Sequence, residues 1–226
     1  MVENYSHFLA ELEKWGCIPM SQEIPGLPAL ASLCPEYLWH TGDPDSDPWM
    51  FRTRIAAEKK GAYGCLLGGR KAFVSASFFP VAYAACRVSF SMDERYEAGL
   101  TSWEVYRMYR LFRERRVLAT FGVRELLQGE MKHSAQDRAL IVLQREWIIT
   151  VIDGVRKLNR SGEPYGWNVN LYGWMEDWAP EEWRRTSERI SQTVARRSWL
   201  RRYEDIAPDF SWEDFCRMMA WDVRGC

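Results

Sequence analysis

The stretch ITVIDGVRKLNRSGEPYGWNVNLYGW, residues 149–174, decides the fold that this sequence predicts. Its two ends are rich in β-branched and aromatic residues, as strands are, whereas the five residues 160–164, Arg-Ser-Gly-Glu-Pro, have the composition of a loop. The stretch therefore predicts a β-hairpin with two long strands.

Three helices are predicted directly before this hairpin. Thr101 and Glu104 have the spacing of a capping box, which begins the first helix. The second helix is expected over 123–131, after a break at Gly122, and the third over 135–148. Three helices followed by a two-stranded wing are typical of a winged helix-turn-helix.

The first half of the chain repeats part of this order. A helix over 48–60 is expected, with Asp47 as its cap and Pro48 at its first position. Strand-like runs at 62–66 and 71–75 flank a Gly-Gly dipeptide, which favours a tight hairpin turn. A helix followed by a hairpin is half of a winged helix.

The predicted fold class is therefore α+β and dominated by helices, with tandem winged helix-turn-helix units, β-hairpin wings and a C-terminal helical tail. The tail is expected to form one helix from Pro180 to about Tyr203 and a short final helix capped by Ser211. We expect an N-terminal region at 1–99, the winged helix at 100–176 and the tail at 177–226, packed as one body.

The charge of the chain is balanced overall but polarised along its length. The 226 residues carry 30 Lys and Arg against 31 Asp and Glu, and 47% of them are hydrophobic, which is enough to build a core. The net charge is −7 over 1–50, +4 over 51–99, +3 over 100–176 and −1 over 177–226. Any contact with nucleic acid must therefore come from local basic patches.

Several classes of function are excluded by the sequence. It contains no run of about 20 apolar residues and no basic leader followed by an apolar segment, so a cytoplasmic protein is expected. The six cysteines are scattered and the three histidines are isolated, so we expect no metal and no cofactor. Glycine-rich nucleotide motifs and a Gly-x-Ser-x-Gly elbow do not occur.

A family resemblance is carried by five stretches: EIPGLPAL (23–30), TGDPDSDPW (41–49), RIAAEKKGAYGCLLGGRKAFVS (54–75), FFPVAYAACR (78–87) and LQREWIITVIDGVRKLNRSGEPYGWNVNLYGW (143–174). Over about residues 18–180 the chain resembles the AlkZ-related proteins, a bacterial branch connected to winged-helix DNA glycosylases of the AlkZ type. The tail lies outside this resemblance.

The resemblance implies tandem winged helices, double-stranded DNA as the partner, and base-excision chemistry on alkylated bases. It assigns no catalytic residue, because the Gln-hydrophobic-Gln motif of those glycosylases is absent from this sequence. The alternative is a winged-helix protein without enzymatic activity, used as a transcriptional regulator or for protein contact.

Candidate DNA-binding residues are found in two regions. In the winged helix, the third helix is expected to enter the major groove and the wing to approach phosphates. The outward positions there are Gln136, Arg138, Arg145, Lys157 and Arg160, while Asp137 and Glu146 oppose phosphate. The second region is the arginine run 184–202, with Arg185, Arg189, Arg196 and Arg197 predicted to face outward. A solvated basic face paired with the acidic N-terminal region explains this run equally well.

A group of aromatic and acidic residues is the candidate for base-excision chemistry. A glycosylase needs aromatic faces for an extruded base and a carboxylate that stabilises the cationic sugar. The candidate catalytic carboxylates are Asp47, Asp43 and Glu163, and the candidate pocket residues are Trp39, Trp49, Tyr63, Gln144, Tyr165 and Trp167. The structural alternative is that Asp47 is a helix cap, Asp43 a turn residue and the tryptophans core residues.

Overall fold

A computed structural model describes residues 1–21, 24, 26–88 and 90–222 of the chain. In this part the helices are α1 (Tyr5–Trp15), α2 (Leu30–Leu33), α3 (Pro48–Ala57), α4 (Phe79–Cys86), α5 (Met92–Glu97), α6 (Trp103–Arg115), α7 (Thr120–Leu126), α8 (His133–Arg145), α9 (Met175–Trp178), α10 (Glu181–Glu188), α11 (Gln192–Ile206) and α12 (Trp212–Met219), with a 3-10 turn at Glu36–Leu38. The strands are β1 (Cys17–Pro19), β2 (Gly61–Leu67), β3 (Arg70–Ser75), β4 (Val117–Ala119), β5 (Ile149–Leu158) and β6 (Pro164–Trp174). The predicted α+β, helix-rich class is confirmed.

The two predicted hairpins, β2–β3 and β5–β6, belong to one antiparallel sheet. Its strand order is β1-β3-β2-β5-β6-β4, and Tyr63 of β2 pairs with Val151 of β5 where the hairpins meet. This shared sheet fixes the two halves of the chain against each other.

The sheet has a hydrophobic cluster on each side. Tyr63 and Phe73 point into a cluster with buried residues of α1, α3, α6 and α8. Their neighbours Ala62 and Val74 point the other way, into a cluster with α4, α9, α11 and α12. Because successive residues of a strand face opposite sides, helices cover both faces of the sheet.

The tail differs from its prediction at one point. The single helix predicted from Pro180 to Tyr203 is wrong, because the chain forms α10 and α11 with a break between them. Ser191 lies in this break, and its side chain accepts a hydrogen bond from the Val194 N–H as the cap of α11. The predicted cap at Ser211 is confirmed by the bond from the Asp214 N–H.

None of the helices in the described residues combines the length and the apolar composition that a bilayer crossing requires.

Candidate functional site

Asp47 is a structural carboxylate at the start of α3. Its side chain is buried and accepts backbone N–H bonds from Trp49 at 2.9 Å, His40 at 3.0 Å and Gly42 at 2.9 Å. A carboxylate that caps a helix in this way also satisfies the orphan donors of the turn. The interpretation of Asp47 as a helix cap is confirmed.

Asp43 lies in the same turn but is exposed to solvent. Its carboxylate accepts bonds from the Ser46 hydroxyl at 2.6 Å and the Asp45 N–H at 3.0 Å. The Ser46 bond is the main reason why the pKa of Asp43 lies below its usual value. Asp43 is therefore ionised at neutral pH and faces water, and its role as a turn residue is confirmed.

The two tryptophans beside this turn are partly buried against the core. The Arg52 guanidinium lies 3.6 Å from the centre of the Trp49 ring, and its Nε donates to the Trp49 carbonyl at 2.8 Å. His40 lies 5.1 Å from the Trp49 ring and 6.2 Å from the Trp39 ring. The Trp49 indole is thus already stacked on protein groups.

Tyr63 and Gln144 are buried in the core. The Tyr63 hydroxyl lies 3.1 Å from Met20 Sδ, and burial raises the pKa of Tyr63. Gln144 accepts from the Cys65 N–H at 3.1 Å and donates to the Leu140 carbonyl at 2.9 Å. The bonds of Gln144 connect α8 to β2. Tyr63 and Gln144 are both buried, so neither side chain is exposed to a ligand in solution.

The prediction that Gln136 faces outward is wrong. Its side chain is fully buried and donates to the Met131 carbonyl at 2.9 Å, while Arg124 donates to its oxygen at 2.8 Å. Helical periodicity alone places Gln136 outward, but the segment 127–131 before α8 packs over its side chain and accepts its hydrogen bonds. The prediction that Arg138 and Arg145 lie on the exposed side of α8 is confirmed.

The outer part of the β5–β6 hairpin presents two aromatic side chains to solvent. Tyr165 is 51% exposed and Trp167 is 72% exposed. Val155 pairs with Val169 and Lys157 with Tyr165, so β6 has extra residues here, and Gly166 adopts a positive φ of 73°. Such a bulge re-aims a side chain, here that of Trp167.

Cations accompany these aromatic residues on the same hairpin. Arg156, Lys157 and Arg160 lie on β5 or in the turn, and the Lys157 ammonium is 5.6 Å from the Phe121 ring. Glu163 contributes to the turn itself, because its carboxylate accepts from the Asn159 amide at 3.2 Å. The contacts of Glu163 are therefore local to the hairpin turn, and those of Asp43 are local to the turn before α3.

The exposed side of α8 lies beside the β2–β3 turn and the start of β3, where two cations, Arg70 and Lys71, were missed by the sequence analysis. Ile141 of α8 lies against Gly69, and with Arg70 and Lys71 it lines a cavity of about 270 Å³. The sequence Gly-Gly-Arg-Lys at the tip of a predicted hairpin was the available signal, because a hairpin tip is solvent-exposed.

The two carboxylates that were expected to oppose phosphate are paired with arginines. Asp137 accepts a hydrogen bond from Arg124. Glu146 is buried and accepts from both terminal nitrogens of Arg95, at 2.6 and 2.9 Å. Their charges are therefore largely neutralised within the fold.

The arginine run has more than one use in the fold. Arg185 pairs with Glu181 at 2.5 Å on the surface of α10, and Arg189 and Arg197 are exposed. Arg196 donates to the Ala85 carbonyl at 3.2 Å and lies 5.0 Å from the Trp221 ring.

Two of the predicted arginines meet in space. Arg145 and Arg196 line one cavity of about 350 Å³ together with Arg87, which the sequence analysis missed. We call this space the arginine cavity.

A second cavity, of about 270 Å³, adjoins the arginine cavity and shares Arg87 and Phe90 with it. Its lining includes Tyr83, Tyr109, Trp147 and Trp174, and we call it the aromatic cavity. Burial, and next the charge of Glu176, raise the pKa of Tyr83 to about 12, so its hydroxyl is protonated at neutral pH. No sequence motif indicated this cavity, because its lining comes from many separate elements.

Among the described residues, no three His, Cys, Asp or Glu side chains are grouped in a way that could hold a metal ion.

Comparison with known proteins gave one match. The family model described as AlkZ related matches residues 2–220. The match is longer than the expected 18–180 and includes the tail through α12, so the expectation that the tail lies outside the resemblance is wrong. No curated protein and no solved structure matches the chain.

Proposed function

The chain belongs to the AlkZ-related family, and from this premise we propose that it binds double-stranded DNA through the β5–β6 hairpin and the exposed side of α8. The relation of the family to DNA glycosylases supports DNA as the partner. The observation that carries the proposal is the exposed Trp167 at a bulge in a hairpin that also carries three cations.

The hairpin has the features of a wing that meets a duplex. Arg156, Lys157 and Arg160 supply charge for phosphates, and Tyr165 and Trp167 supply flat apolar surface for sugars and bases. Tyr165 and Trp167 share the hairpin with Leu158, which is 62% exposed, and a group of exposed apolar residues favours a binding role where a single one does not.

The exposed side of α8 supplies the second contact. Arg138 and Arg145 lie on α8, and Arg70 and Lys71 lie at the neighbouring start of β3. Asp137 is paired with Arg124, and Glu146 mainly with Arg95, although Glu146 also lies 3.6 Å from Arg145. These two acids therefore do not offset Arg138, Arg70 or Lys71, and they offset Arg145 only in part. Four phosphate contacts give a salt slope of roughly −4 in the logarithm of the binding constant.

This proposal interprets both halves of the chain as winged-helix units. The first unit comprises α3 with β2–β3 within 1–99, the second comprises α6, α7 and α8 with β5–β6 within 100–176, and 177–226 is a helical addition. The shared sheet supports a fixed relation between the two wings.

DNA-glycosylase activity on alkylated bases is the second candidate, favoured by the family relation. Incubation with a duplex that carries an alkylated purine, followed by cleavage at abasic sites, tests it. Strand breaks at stoichiometric protein support the activity, and their absence leaves a non-enzymatic winged-helix module as the better description.

The test of DNA binding is a fluorescence-anisotropy titration of an undamaged duplex at low salt. We expect the double variant Tyr165→Ala/Trp167→Ala to bind at least about tenfold more weakly than the wild type, a loss of about 1.4 kcal/mol, because both side chains lose their contacts with sugars and base edges. Tyr37→Ala is the control, since Tyr37 is strongly exposed but belongs to the acidic segment before α3, outside the hairpin and α8. Equal affinity of the double variant and the control rules out the hairpin as the contact.

A further inference from the structure

The aromatic cavity has the size and walls of a site for one planar ring. Its volume of about 270 Å³ is at the lower end of ligand pockets, and Tyr109 and Trp174 form one wall with ring centres 5.5 Å apart. Phe90 stands at the rim and is 68% exposed. Flat aromatic faces of this kind stack on heterocyclic bases without regard to their sequence.

Trp147 lines this cavity in a backbone conformation that a bulky residue rarely adopts. Its φ is +58°, just after α8, where glycine is usual. The indole is held by the Leu66 carbonyl, which accepts from its N–H at 3.3 Å, and by the Phe79 ring at 5.5 Å. Lys59, Arg116 and Ala220 adopt a similar φ after α3, α6 and α12, so this conformation ends the helix and sets the direction of the Trp147 indole.

The polar groups of the aromatic cavity include an unsatisfied donor. Arg184 Nε is buried and has no hydrogen-bond partner among the described residues. A buried donor without a partner destabilises the free protein, and a bound acceptor that reaches it removes this cost. Glu176 and Glu188 also line the cavity and offer acceptors, whereas Glu146 is already bound by Arg95.

The adjoining arginine cavity has the chemistry of a phosphate site. Arg87, Arg145 and Arg196 line it, and the one carboxylate among its described lining residues, Glu146, is bound mainly to Arg95 and lies 3.6 Å from Arg145. The Ala85 carbonyl orients Arg196 and leaves its terminal nitrogens for a ligand. Arginine forks match phosphate oxygens in geometry and charge.

We propose that the two cavities together bind a guanine nucleotide, with the base in the aromatic cavity and the phosphate in the arginine cavity. Guanine presents acceptors at O6 and N7, which arginine donors favour, and donors on its other edge, which Glu176 and Glu188 can accept. The nucleotide is either free in solution or part of a DNA strand and flipped out of it. Only the second source rests on the proposed DNA binding.

The free source is tested by isothermal titration calorimetry of the full chain with guanosine 5′-monophosphate. We expect binding at least about tenfold tighter than that of guanosine, inorganic phosphate or adenosine 5′-monophosphate, because both cavities must be filled by the correct groups. Equal binding of the adenosine nucleotide overturns the assignment of the base.

Two variants locate the site. Arg184→Gln is expected to weaken nucleotide binding about tenfold, and Phe90→Ala about threefold, by loss of a hydrogen bond and of stacking. Arg185→Gln is the matched control, because the neighbouring Arg185 pairs with Glu181 on the surface. Phe90 is exposed, so its variant folds even if Arg184→Gln does not. Unchanged binding by both variants contradicts the site.

The DNA source is tested with a duplex that carries one unpaired guanine. Here Arg184→Gln is expected to remove the preference for the unpaired guanine over a fully paired duplex, while Arg185→Gln keeps it. Binding of neither the free nucleotide nor the unpaired guanine overturns the proposal. Intact nucleotide binding without duplex binding instead contradicts only the proposed DNA function.

Discussion

Asp47 shows how one side chain fixes the turn before α3. Its carboxylate holds His40, Gly42 and the first turn of α3 by backbone bonds, and α3 carries Trp49 and Arg52. Residue types and spacing alone fitted a catalytic acid as well as a cap, because both functions use a carboxylate beside aromatic rings. The structure separates these two roles, because the buried Asp47 carboxylate already accepts three backbone hydrogen bonds.

Replacement of Asp47 by Ala is expected to lower the free energy of unfolding by about 2 kcal/mol, because it removes a cap and leaves backbone donors unsatisfied. Urea unfolding followed by circular dichroism measures the change. Asp43→Ala in the same turn is the control and is expected to cost less than half as much, because Asp43 is exposed. A larger effect at Asp43 than at Asp47 contradicts this account of the turn.

At the scale of elements, strong local signals predicted the fold well. The β5 and β6 strands and the start of α3 follow from β-branched runs, a turn composition and an Asp-Pro cap. The predicted helix break at Gly122 is wrong, because α7 runs through it and buries Val123. Core contacts of this kind outweigh the cost of about 1 kcal/mol for glycine in a helix, and they cannot be found from local sequence.

Two carboxylates, Glu94 on α5 and Glu130 paired with Arg107 of α6, make the stability of the fold depend on pH. Bonds from Ser91 lower the pKa of Glu94, and bonds from Arg107 lower the pKa of Glu130. A carboxyl whose pKa is lower in the folded state stabilises the fold above its unfolded pKa of about 4.5, and this contribution is lost as pH falls through the folded pKa.

The double variant Glu94→Gln/Glu130→Gln is therefore expected to show a shallower loss of unfolding free energy below about pH 4.5 than the wild type. Urea titrations at a series of acidic pH values measure the two slopes. Parallel slopes mean that these two bonds do not contribute to acid stability.

At the scale of the whole molecule, the sites are products of tertiary folding. The arginine cavity joins Arg145, the last residue of α8, with Arg196 of α11, and the aromatic cavity combines α4, α6, β6 and α10. Sequence patterns report neighbours within about one helical turn or one hairpin, so they found the individual arginines but not their meeting. The hairpin, being local, was predicted, whereas Tyr165 and Trp167 were expected to line a pocket and are instead exposed on the hairpin.

The buried pair of Arg95 and Glu146 links α5 to the end of α8 across both cavities. Glu146→Ala is expected to lower the free energy of unfolding by about 3 kcal/mol, because Arg95 is then left mostly buried without its partner. The double variant Arg95→Met/Glu146→Leu should recover part of this loss in thermal and urea unfolding. A double variant that is less stable than Glu146→Ala contradicts the assignment of the cost to an unpaired charge.

The central claim is that the β5–β6 hairpin and the exposed side of α8 contact double-stranded DNA. Amide hydrogen exchange, measured by mass spectrometry with and without an undamaged duplex at low salt, tests it most directly. We predict slower exchange in residues 154–169 and around Arg70 and Lys71 when the duplex is present, and unchanged exchange in the acidic segment 36–46. Unchanged exchange in the hairpin at saturating duplex would contradict the claim.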